Sequence, residues 1–135
     1  MNRVLLVTAA MLLLLTAACE DFTHAAEPAW NKQPCSHCRM LVSDPRYAAQ
    51  LVTRSHERLF FDDPGCLAAY MQEHTSEVEQ AWVHLDTSWT RVQDARFSAA
   101  TSSPMGYGLL ADRAGDRDFS AVTQAAMNRR AQGSP

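Results

Sequence analysis

The chain reads as an α+β protein made of two small β-β-α-β-like halves that share one core, the second half shortened. Three observations predict this class. Short runs rich in β-branched and aromatic residues fall at 47–53, 58–61 and 80–86. Two helical stretches follow the capping residues Asp63 and Asp118. Short strands mixed with two helices, without the regular strand-helix alternation of a parallel sheet, point to α+β.

The runs 47–53 and 58–61 are joined by Arg54-Ser55-His56-Glu57, a length suited to a hairpin. Next, Asp63 is a good N-cap, Pro64 suits the first helical position, and Leu67, Tyr70 and Met71 recur at helical spacing, so a helix runs from 64 to about 73. Over 80–86, Ala81, Val83 and Leu85 alternate with Trp82, His84 and Asp86, the period of a half-buried strand. Strands are expected again at 91–97 and 105–110. Asp118 then caps a helix through Met127 that carries Phe119, Val122, Ala126 and Arg130 on one face. The domain should therefore occupy 35–130, ahead of a disordered tail at 131–135. The polar, alanine-rich stretch 19–34, punctuated by Pro28 and Pro34, reads as a flexible tether.

Ahead of the tether, Asn2 and Arg3 precede an apolar run at 4–15 that ends in Thr16-Ala17-Ala18-Cys19, the pattern of a secretory leader over 1–18. The run is shorter than the roughly 20 residues that span a bilayer. Leu15-Thr16-Ala17-Ala18-Cys19 resembles the bacterial lipobox, which implies cleavage before Cys19 and acylation of its thiol, and more than one acyl chain makes the attachment stable. The protein is expected to be exported and lipid-anchored, facing the periplasm or cell exterior. Glu20 stands where an aspartate commonly retains lipoproteins at the inner membrane, which favours the outer one. The formal net charge of −3 becomes more negative once Arg3 is removed. With no basic run to track a phosphate backbone, nucleic acid is excluded as a partner.

An oxidising exterior normally pairs thiols, yet once Cys19 is acylated Cys35, Cys38 and Cys66 leave an odd number. Pro34-Cys35-Ser36-His37-Cys38-Arg39-Met40 places two thiols three residues apart with a thioether two positions on. Thiolate and thioether together select Cu(I), whereas zinc takes cysteine, histidine and carboxylate and hardly ever methionine. A thioredoxin-like redox pair would have to open a helix after a buried strand, but a proline precedes this segment and Pro45 falls where such a helix would continue. A structural zinc site using Cys66 and a histidine such as His37, and a Cys35–Cys38 disulfide that coexists with metal binding as the empty state, stay open. Met105 sits between Pro104 and Gly106, an arrangement expected where a sulfur must be aimed. Cys66, near the third position of its helix, reads as a small core residue before it reads as a ligand.

Cys35-x-x-Cys38-x-Met40, Phe60-Phe61-Asp62-Asp63, Trp89 with Asp94-Ala95, and Pro104-Met105-Gly106-Tyr107-Gly108 follow one another in an order that resembles the NosL family, copper-binding lipoproteins accessory to nitrous oxide reductase. The resemblance covers roughly 19–119 and includes a distant likeness to organomercurial lyase. It implies a non-enzymatic carrier that delivers Cu(I) to the copper centres of the reductase or to its maturation machinery, with Cys35, Cys38, Met40 and Met105 as the sulfur ligands. Two departures stand out. Arg39 occupies the position of the family's glycine, and the chain stops where members continue into a further strand. The competing reading is a thiol-dependent enzyme, a disulfide oxidoreductase or an organometal lyase, which needs a proton donor beside a reactive thiolate.

Overall fold

A computed structural model describes residues 20–133. The leader at 1–18, the lipidation expected at Cys19 and the last two residues lie outside the described part. A 3-10 turn, Pro45–Tyr47, leads into β1 (Ala49–Thr53), β2 (Arg58–Phe61), α1 (Pro64–Glu73), β3 (Val78–Leu85), β4 (Ser88–Arg91), β5 (Phe97–Ala99), β6 (Leu109–Ala111) and α2 (Phe119–Ala131). The first four strands form one antiparallel sheet in the order β2-β1-β3-β4, and β5 pairs with β6 in a second. The fold is α+β, with a β-β-α-β-β first half and a β-β-α second half. One apolar core draws on both: Leu51, Phe61, Leu67 and Val83 from the first meet Phe97, Leu109, Val122 and Ala126 from the second.

Local chemistry explains the elements that position the site. The Asp63 carboxylate accepts from the Gly65 N–H at 2.8 Å and Pro64 fills the first helical position, so only Asp62 and Asp63 separate the end of β2 from the start of α1. Register sets Leu51 opposite Leu59 and Ala81, and Ala49 opposite Phe61 and Val83, on the face turned to the helices.

The alternation expected for β3 is present, yet its other face is buried too: Trp82 and His84 are covered, as are Gln50 and Val52 on β1. Residues 20–34, expected as a flexible tether, are the cover. They run over the outer face of the sheet as a strap. The Gln50 side chain, fully buried in mid-strand, donates to the Ala26 carbonyl at 2.8 Å and accepts from its N–H at 3.0 Å. Trp30 packs with Trp89 against Val42, Ala48 and Phe60, and Glu27 accepts from both indole N–H groups, at 3.1 and 2.7 Å. A buried amide left without partners costs about 1–3 kcal/mol, so the strap backbone is part of what lets Gln50 sit there.

The expected strands at 47–53 and 80–86 shift by one or two residues, to Ala49–Thr53 after the 3-10 turn and to Val78–Leu85, and two others differ more. The run 91–97 breaks because the Asp94 and Ala95 N–H groups both return to the Arg91 carbonyl, at 3.0 Å each, which turns the chain between β4 and β5. The run 105–110 is a turn over most of its length, with Gly106 donating to the Ser103 carbonyl at 2.9 Å and both Gly106 and Gly108 in the left-handed region, so β6 begins only at Leu109. At the other end α2 continues to Ala131, one residue into the stretch expected as a tail, and the described residues hold no strand after it. No helix among them is long and apolar enough to cross a membrane.

Candidate metal centre

The segment 35–40 closes on itself. The Cys35 N–H donates to the Met40 carbonyl at 2.7 Å and the Arg39 N–H to the Cys35 carbonyl at 3.1 Å, which requires Arg39 to take φ +69°. Left-handed backbone costs an L-residue roughly 1–2 kcal/mol, most of which glycine avoids at the expense of greater freedom in the unfolded chain. Arg39→Gly should therefore raise stability by about 0.5 kcal/mol, read from the midpoint of chemical denaturation, with the denaturant slope unchanged.

The Ser36 N–H donates to the Phe60 carbonyl at 2.8 Å, fastening this turn to the end of β2. Because α1 begins just beyond that end, its third residue, Cys66, comes beside the turn. The sulfurs of Cys35, Cys38 and Cys66 lie within 4.8 Å of one another. Cys35 and Cys66 are fully buried, Cys38 is partly exposed, and all three are free thiols. They form the one group of three or more such ligands among the described residues that can hold a metal ion.

The three thiols are not equivalent. Cys35 is drawn down to about 5, chiefly by a hydrogen bond from the Cys66 thiol, with the Cys38, Asp62 and His37 backbone N–H groups adding to it against the cost of burial. Cys38 is pushed up to about 11, first by burial and then by the negative charge on Cys35. The hydrogen bond to Cys35 and burial also raise Cys66. Near neutral pH the triad thus carries one thiolate, on Cys35, and two thiols. Metal ligands are thiolates, so an ion bound by all three should displace about two protons between pH 6 and 9 and bind more tightly as pH rises through that range. Proton release into a weakly buffered indicator solution on metal addition measures this directly; release of no protons would show that only Cys35 ligates.

Acidic groups crowd the same corner. Burial lifts the Asp62 carboxyl to about 6, and the Cys35 thiolate adds to the shift. The carboxyl of Asp63 is raised for the same leading reason. Besides capping α1, Asp63 accepts from the Met105 N–H at 3.1 Å, so one buried carboxylate ties the helix that carries Cys66 to the loop that carries Met105.

The sequence-predicted residues are distributed unevenly around the triad. Cys35 and Cys38 belong to it. Met105 is half-buried against the same core cluster. Met40 is 58 % exposed and lines an open cleft with Asp62, Ser103 and Pro104, the residues leading to Met105 forming the facing wall. His37 lines a separate small pocket between α1 and α2, with Glu73, Tyr107 and Arg130. Other histidines are engaged elsewhere: His56 stacks on Phe22, His74 on Tyr70, and His84 lies edge-on to Trp30 and Trp89. Cys66, read from sequence as core first, is both core and a member of the triad. The Asp63 cap was the available signal, since it fixes Cys66 at the opening of a helix that follows directly on β2.

No protein-family model matches the chain, and no curated protein or solved structure is significantly similar to it. The case for function therefore stands on the site. Three convergent thiols beside a partly exposed edge can bind a soft or borderline metal ion; the sulfur geometry alone does not select which.

Proposed function

We propose that the chain is a lipid-anchored, NosL-like Cu(I) carrier that delivers copper for assembly of the nitrous oxide reductase copper centres. The observation that carries this reading is the convergence of Cys35, Cys38 and Cys66; the proposed site adds two thioethers to it, exposed Met40, two residues beyond Cys38, and Met105, on the loop tied to Asp63. Thiolates hold the ion, and thioethers at the edge favour Cu(I) over zinc and exchange readily when an acceptor offers its own ligands. Cys38 and Met40 stand on the accessible side, where a partner's sulfur or imidazole can displace them in turn.

Titration of the reduced protein against a chromophoric Cu(I) chelator should show one tightly bound ion, and protein oxidised to a disulfide should show none. Equal uptake by both forms would exclude the thiolate site. Met40→Ala and Met105→Ala should weaken Cu(I) binding while leaving zinc binding nearly unchanged. Incubation of the loaded protein with copper-free nitrous oxide reductase should then restore the visible absorption of the enzyme's copper centres.

One observation favours a second reading. Between about pH 5 and 6 Cys35 is ionised while the Asp62 carboxyl, raised by burial and by the Cys35 charge, still keeps its proton, which is the pairing a thiol-dependent lyase or oxidoreductase needs. Turnover of an alkylmercury compound or a model disulfide by the metal-free protein would carry that reading, and stoichiometric Cu(I) binding without turnover carries the first.

A further inference from the structure

The first described residues are not a free end. Arg58, whose side chain is 5 % exposed, donates from Nε to the Glu20 carboxylate at 3.0 Å, from Nη2 to the Asp21 carbonyl at 2.9 Å and from Nη1 to the Gln50 amide oxygen at 2.8 Å. Its guanidinium also lies over the Phe22 ring, which in turn stacks on His56. Four residues later Ala26 makes its two hydrogen bonds to Gln50. The chain is thus gripped from Glu20 onward at the β1–β2 turn, and from there the strap travels along the outer face of the sheet to Pro34 and the cysteine turn.

We propose that this grip determines which end of the domain meets the membrane: the β1–β2 turn rests on the lipid headgroup surface, and the thiol triad is held at the opposite end, open to the aqueous phase. The proposal rests on the lipid-anchored reading above. An acyl group on Cys19 would sit one residue from Glu20, a reach of roughly 3.5 Å, too little to let the domain swing on a tether. From Arg58 to Asp62 the strand climbs four residues, about 13 Å, so the site stands away from that surface. Arg54, Ser55, His56 and Glu57 are exposed at the turn, beside half-buried Phe22. Arg54 and Arg58 there are slightly outweighed by Glu20, Asp21 and Glu57, so the turn has no basic patch to draw it to an anionic surface; an uncharged headgroup layer suits it, and the lipid anchor, not charge, supplies the attachment. A partner that exchanges the ion would then approach through water above the bilayer, not within the membrane plane.

Hydrogen–deuterium exchange of the acylated mature chain in phosphatidylcholine vesicles, compared with an unanchored Cys19→Ser chain made without residues 1–18, tests the orientation. Slower exchange confined to 20–24 and 53–58 is the expected result. Slowing over 36–44 or 101–106, or none anywhere while the chain floats with the vesicles, would overturn the orientation and leave the anchor standing. Failure to float would remove the anchor and the orientation together. Arg58→Ala should still float and keep its metal affinity, but lose the protection at 53–58; an unchanged pattern would also overturn the proposal, since the grip would then determine nothing.

Discussion

Cys66→Ser lowers metal affinity by more than the ~10–100-fold that outer-shell partners are worth, the largest effect expected from any single change outside the Cys-x-x-Cys segment. Serine keeps the size and the hydrogen-bonding capacity of the side chain, so the buried start of α1 should stay packed and the loss should fall on binding. Competition with a chelator of known affinity measures it, and an unchanged thermal midpoint of the metal-free variant separates ligation from folding. The side chain at this position has a second role, because the Cys66 thiol is the main group that lowers Cys35. A hydroxyl can still donate to the Cys35 sulfur, so Cys66→Ala should raise the Cys35 titration further toward the ordinary thiol range than Cys66→Ser does. Affinity within about twofold of the parent in both variants would show that Cys66 is only a core residue.

Gly65→Ala is expected to destabilise the fold by about 3 kcal/mol or more, at the upper end of what overpacking a core costs. A methyl group on Gly65 would lie 2.0 Å from the ring carbon Cγ of Tyr107, and within 2.5 Å of two others. That ring is itself buried, with the Arg129 guanidinium stacked on it at 5.0 Å, so it has little room to retreat. Urea denaturation gives the loss of stability. Tyr107 sits two residues from Met105, and the loop moves with the ring. The same variant should therefore lose Cu(I) affinity while its thiols still bind zinc, if the thioether contributes as proposed. Tyr107→Leu combined with Gly65→Ala makes room for the methyl and should recover part of the stability, which a helix-propensity effect alone would not allow.

Much of the first half could be read from sequence because its signals are local. Asp63-Pro64 announces the helix start, and the bounds expected for α1 coincide with those observed. The hairpin needed only two β-prone runs at a suitable spacing, and β1 and β2 pair as that spacing required. The strap is invisible in the sequence because its grip uses backbone groups of Ala26 and a few polar side chains, which leave no periodic trace. A hint did exist in Gln50, a full amide in the middle of an apolar strand, which implies that something polar covers the far side of the sheet. The second half was harder, since three-residue strands are shorter than any window in which alternation can be counted, and turn hydrogen bonds decide where they begin. For the site, Cys35 and Cys38 were legible from spacing alone. Joining Cys66 to them requires knowing that the Ser36 N–H meets the Phe60 carbonyl, a contact between residues 24 positions apart that no local pattern encodes.

The triad joins two pieces of chain that are otherwise held together by packing: the turn at 35–40 and the start of α1. An ion bound to all three sulfurs acts as a removable cross-link between them, closing the loop from Cys35 to Cys66. Anything that binds the folded chain alone adds to its stability, by about 4 kcal/mol when present at a thousand times its dissociation constant. Loaded and empty forms therefore differ in how often they open, and proteolysis that samples open forms removes the empty one faster. Under the carrier function proposed above, lifetime would become a readout of cargo: the copy that has given up its ion and is not refilled is the first to be cleaved.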